Sequence, residues 1–86
     1  MYNFIKQFVN KITLSDIIKF GKSNNIDLSR DEACFLLSYL KNNWESILYG
    51  DSSPIINKIY DVFDKTKSEK IVSLFVFYKD RYKNYL

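Results

Sequence analysis

Few side chains in this sequence could do chemistry. Histidine is absent, which removes the commonest general base and the commonest metal ligand. One cysteine, Cys34, excludes CxxC redox pairs and multi-cysteine zinc sites. It sits among apolar neighbours without a histidine to activate it, so a buried structural thiol is expected there. Two carboxylate pairs remain, Asp31 with Glu32 and Asp61 with Asp64. Helix capping and the helix dipole account for the first, and Asp61 stands four residues before Lys65, the spacing of a helical ion pair. Gly21 and Gly50 are the only glycines, too few and too far apart to cradle a phosphate. The alternating acids of an EF-hand are missing. No enzyme activity, no cofactor and no metal are expected.

Binding is the remaining class. The C-terminal run from Tyr78 to Leu86 interleaves Lys79, Arg81 and Lys83 with Tyr82 and Tyr85, a composition that can hold phosphates and stack on unpaired bases. The plainer reading is a helix end whose tyrosines pack inward and whose cations favour the dipole. Residues 14–42 could form a helix-turn-helix, but about six residues separate the helices and the second opens on Arg30-Asp31-Glu32, whose acids repel phosphate. A stronger signal is apolar surplus. Seven Phe, seven Tyr and one Trp are hard to bury in 86 residues, so some of these rings are expected at an interaction face. Val72, Val76 and Phe77 fall off the inner stripe of the last helix and, with Trp44 and Tyr49, are the candidate partner-binding residues.

The elements that would position these residues are helices. Two Gly and one Pro are too few for a sheet-rich domain of this size. Helix one is expected from Tyr2 to about Asn10, with Ile5, Phe8, Val9 and Ile12 inward. Thr13 reads as the cap of a second helix, Leu14 to about Ser23, with Asp16 closing a capping box and Gly21 admitting a neighbouring helix. Asn24-Asn25 can take the left-handed turn that ends it. Ser29-Arg30-Asp31-Glu32 is a capping box for a third helix, Arg30 to about Asn42, with a short extra turn over Trp44 to Tyr49. Ser53 and Pro54 open a fourth, to about Lys65, burying Ile55, Ile56, Ile59, Val62 and Phe63. After a polar break at Lys65 to Ser68, a fifth would run toward Asn84 on Ile71, Leu74, Phe75, Tyr78 and Tyr82. The expected fold is all-α, a compact bundle of four to five short helices forming one domain over residues 1–86.

No apolar run exceeds five residues, as at Leu74 to Tyr78, whereas a bilayer span needs about 20. The N-terminus lacks the pattern of a signal peptide, and no disulfide is possible within the chain. A cytoplasmic protein without a membrane partner is expected. The net charge of +3 is spread over a mixed surface, weaker than the concentrated positive field of most nucleic-acid binders.

The stretch Ile12-Thr13-Leu14-Ser15-Asp16-Ile17-Ile18-Lys19-Phe20, followed by Asn25-Ile26-Asp27-Leu28-Ser29-Arg30-Asp31-Glu32-Ala33, resembles the YqfT-like family of short uncharacterised Firmicute proteins. Lys41-Asn42-Asn43 falls where that family carries a basic, Asn-containing turn. The segment Trp44 to Tyr49 departs from the pattern, and the C-terminus is more aromatic. The resemblance implies a bacterial cytosolic protein and carries no assigned activity. The leading expectation is a non-enzymatic helical module that binds a protein partner or a second copy of itself. A nucleic-acid module, for RNA rather than duplex DNA, is the alternative.

Overall fold

The computed structural model describes residues 2–82, the last without its side chain. Five helices and no strand are present among them: α1 (Tyr2–Lys11), α2 (Leu14–Ser23), α3 (Arg30–Tyr49), α4 (Ser53–Val62) and α5 (Lys65–Tyr82). The all-α expectation holds. The chain divides into two compact units, Met1–Trp44 and Glu45–Leu86.

In the first unit, α1 buries Val9, with Ile5 and Ile12 half-buried beside it. Tyr2 lays its ring against Trp44, centroids 5.1 Å apart. Lys41 Nζ donates to the Asn10 carbonyl at 3.2 Å, near the C-terminal end of α1 where the helix dipole is negative. Phe8 departs from expectation. It is 62% exposed, because the buried line of α1 runs through Val9 and leaves Phe8 on its outer flank.

Thr13 adopts an extended conformation and caps α2 as its sequence predicts. Its N–H donates to Asp16 Oδ2 at 2.9 Å, and the Asp16 N–H donates to Thr13 Oγ1 at 3.2 Å. The bond from the Thr13 backbone, with that from its side chain, holds the Asp16 carboxyl below its ordinary pKa. At the other end Asn25 sits at φ 61°. Ile26 N–H reaches the Gly21 carbonyl at 2.8 Å, and Asn25 N–H reaches that of Lys22 at 3.1 Å. This is a Schellman closure with asparagine in the left-handed position.

Gly21 admits a loop, not the neighbouring helix expected from the sequence. A Cβ there would stand 2.9 Å from the Ile26 carbonyl oxygen and 3.0 Å from Leu28 Cδ1. Gly21→Ala therefore sets a helix-propensity gain of about 1 kcal/mol against an overpacking cost of about 1–3 kcal/mol. The Ile26 N–H is bound in the closure, so the Ile26 backbone cannot swing aside alone and the cost prevails. We expect a net loss of about 1 kcal/mol and a thermal midpoint lower by about 4–8 °C, read by circular dichroism. A raised midpoint would show that the Ile26–Leu28 loop can retreat.

Ser29 and Glu32 cap α3 reciprocally, at 2.8 Å from Ser29 N–H to Glu32 Oε1 and 3.1 Å from Glu32 N–H to Ser29 Oγ. Ala33 is fully buried, Trp44 is 6% exposed, and Leu36, Leu37 and Leu40 are half-buried between them. Cys34, one residue round from Ala33, is exposed, which corrects the expectation of a buried thiol. The apolar run Ala33 to Leu37 is too long for one stripe, so part of it faces outward. α3 does not stop near Asn42 either. Asn43 Nδ2 donates to the Tyr39 carbonyl one turn back, at 3.0 Å, and the helix continues unbroken to Tyr49.

In the second unit, α4 starts one residue earlier than its sequence suggests. Ser52 is the cap, Pro54 stands in the first turn, and Asp51 rather than a serine takes the Ser53 N–H, at 2.9 Å. Ile55, Ile59 and Phe63 are buried, whereas Val62 is exposed. The helix ends at Val62 because Phe63 turns extended, at ψ 157°. This break removes the helical spacing between Asp61 and Lys65. Asp64 then caps α5, accepting the Lys67 N–H at 2.7 Å on its side chain. The segment read as a polar break is thus the first turn of α5. Its Ser68 is fully buried, with Oγ 3.2 Å from the carbonyls of both Ile59 and Phe63.

Candidate functional site

The candidate surface lies in the second unit, on the C-terminal half of α5. Asp64 and Ser68 fix the start of this helix against the end of α4. Lys79 fixes its far end. Its ammonium donates to Ser52 Oγ at 3.3 Å, lies 3.5 Å from the Gly50 carbonyl oxygen, and stands 5.9 Å above the Phe75 ring. The cation is thereby held over the loop that joins α3 to α4, among acceptors and a π face. Asp51 in the same loop has its carboxyl pKa lowered, mainly by the Ser53 backbone N–H and to a lesser degree by the charge of Lys79.

With both ends fixed, α5 turns consecutive apolar residues outward. Val76 is 51% exposed and Phe77 54%. Tyr78 beside them is also exposed, its ring edge-on to Phe77 at 5.2 Å. A shallow groove of about 300 Å³ runs next to them, lined by Ser52, Phe75, Val76, Lys79 and Asp80. Phe75 and Val76 make its lining largely apolar, and the cation Lys79 and the anion Asp80 line it as well. Such a groove can seat an apolar side chain and orient it by charge.

The residues singled out from the sequence are distributed unevenly. Val76 and Phe77 are exposed together, Tyr49 is exposed at the end of α3, and Val72 is half-buried. Trp44 leaves the candidate set. It is an interior residue packed by Tyr2, because it continues the same inward line of α3 as Ala33. Among the residues of the nucleic-acid alternative, Lys79 is already engaged as described, and Arg81 is exposed. The side chain of Tyr82, and Lys83 and Tyr85, lie outside the described residues. No group of acids and cysteines able to hold a metal occurs among the described residues, and no described helix is long and apolar enough to cross a membrane.

Sequence reasoning missed Phe75 and Ser52 as walls of the groove, since the contribution of Ser52 depends on where the α3–α4 loop lies. It also missed the exposure of Phe4, at 71%, and of Phe8 one turn on.

No curated protein and no solved structure matches the chain. A family model described as "Protein of unknown function (DUF2624)" matches residues 1–79. The chain belongs to that family, and the matched span takes in the α5 face up to Lys79.

Proposed function

We propose that this family member is a non-enzymatic interaction module that binds a protein partner, or a second copy of itself, through the outer face of α5. The observation that carries the reading is the joint exposure of Val76 and Phe77 beside the Phe75–Lys79 groove. Tyr49 and Val72 supply further apolar area, and burying about 600 Å² per subunit would suffice for a modest dimer. A bacterial, cytoplasmic setting accompanies this reading, supported by the resemblance to YqfT-like proteins and by the single cysteine, which can form no disulfide within the chain.

Light scattering over a concentration series, at low and high salt, tests it. The mass should rise toward a dimer with concentration and change little with salt, as apolar association does. In the double variant Val76→Ser/Phe77→Ser it should stay monomeric, a loss of about tenfold or more in association. A wild-type monomer at the highest concentration moves the reading from self-association to a different protein partner. The RNA alternative predicts the opposite pattern: binding that falls steeply with salt and is lost when Lys79, Arg81 and Lys83 become Gln. The engagement of Lys79 with Ser52 weighs against it.

A further inference from the structure

The outer face of α1 carries a second pattern, independent of α5. Phe4 and Phe8 are 71% and 62% exposed, and Lys11 follows at the next helical step, so the three share one stripe at i, i+4, i+7. α1 contains no carboxylate, and its other exposed cation, Lys6, stands on the opposite side of the helix. The exposed Lys41 brings its ammonium to the Asn10 carbonyl, which places a further positive charge at the end of α1 where Lys11 stands. The stripe is therefore apolar and aromatic along its length and cationic at one end.

We infer that α1 is a reversible seat for an anionic lipid surface, with Phe4 and Phe8 entering the headgroup boundary and Lys11 and Lys41 facing the lipid phosphates. Charge complementarity selects an anionic occupant. The small extent of the stripe selects a lipid over a protein. Two rings are far below the roughly 800 Å² per partner that a stable protein interface buries, whereas a fluid interface needs no matching shape and gains from every ring and cation that reaches it. Contact of this kind lies along the surface and is compatible with the absence of a spanning helix among the described residues.

The test is co-sedimentation of the full chain with vesicles rich in phosphatidylglycerol and with vesicles of phosphatidylcholine alone, at low and high salt. We expect pelleting with the anionic vesicles only, weakened by salt. Phe4→Ser/Phe8→Ser should reduce it about tenfold and Lys11→Gln about fivefold, whereas Lys6→Gln, on the opposite side of the helix, should change it little. All four positions are exposed, and far-UV circular dichroism checks that each variant keeps its helices. Equal behaviour on both vesicle types overturns the inference. So does anionic binding that survives loss of the two rings, which would be general polycation adhesion. Phenylalanine variants that bind vesicles normally but lose self-association would assign the stripe to protein contact and overturn it as well.

Discussion

Trp44→Ala is expected to lower folding stability by about 4 kcal/mol, the range for truncating a buried tryptophan. A chain of this length holds only about 4–13 kcal/mol in total, so the variant stands near the edge of folding. Trp44 is interior, its ring is covered by Tyr2, and it lies on the same line of α3 as the fully buried Ala33. Alanine would leave a cavity that Tyr2, at the start of α1, cannot fill by itself. Urea denaturation followed by far-UV circular dichroism measures the loss. A change under about 1 kcal/mol would place Trp44 among rings that merely rest on the surface and return it to the candidate partner face.

Ile59→Ala should cost about 3 kcal/mol for the same class of reason. Ile59 is 2% exposed, lies between Ile55 and Phe63 on the inner side of α4, and lends its carbonyl to Ser68. Its cavity opens in the second unit, far along the chain from the only tryptophan. Trp44 fluorescence therefore reports the first unit while far-UV circular dichroism reports both. Because α3 is one unbroken helix from Arg30 to Tyr49, the two signals should move together in this variant. Two separated transitions would mean that the units unfold independently.

What the sequence made legible was local. Thr13 with Asp16, Ser29 with Glu32, and the asparagine turn at residue 25 are decided within four or five residues, and all three form as their side chains demand. What escaped depends on distant neighbours. Asn43 is the exception: it looked like a helix stop, yet its amide serves the Tyr39 carbonyl only four residues back inside α3. Ser68 looked like a linker residue, yet carbonyls in and just after α4 make it an interior one. Phe8 was assigned inward by periodicity and Cys34 by its apolar neighbours, and neither signal says which edge of a stripe another element covers. The candidate face followed the same rule. Val76 and Phe77 were legible because they fall off the stripe of α5. The commitment of Lys79 was not, because Gly50 and Ser52 stand well over twenty residues before it in the chain.

The corner at Ser68 has a consequence of its own. A hydroxyl carries one proton, yet Oγ is equidistant from two carbonyl oxygens. The heavy atoms are fixed while the proton has two equivalent seats, and passing between them requires only rotation about the C–O bond. The site therefore retains a small entropy that a rigid single bond would forfeit. Since the side chain is sealed from water, that proton trades with solvent only when the corner opens. Its exchange lifetime is a clock for the parting of α4 from α5.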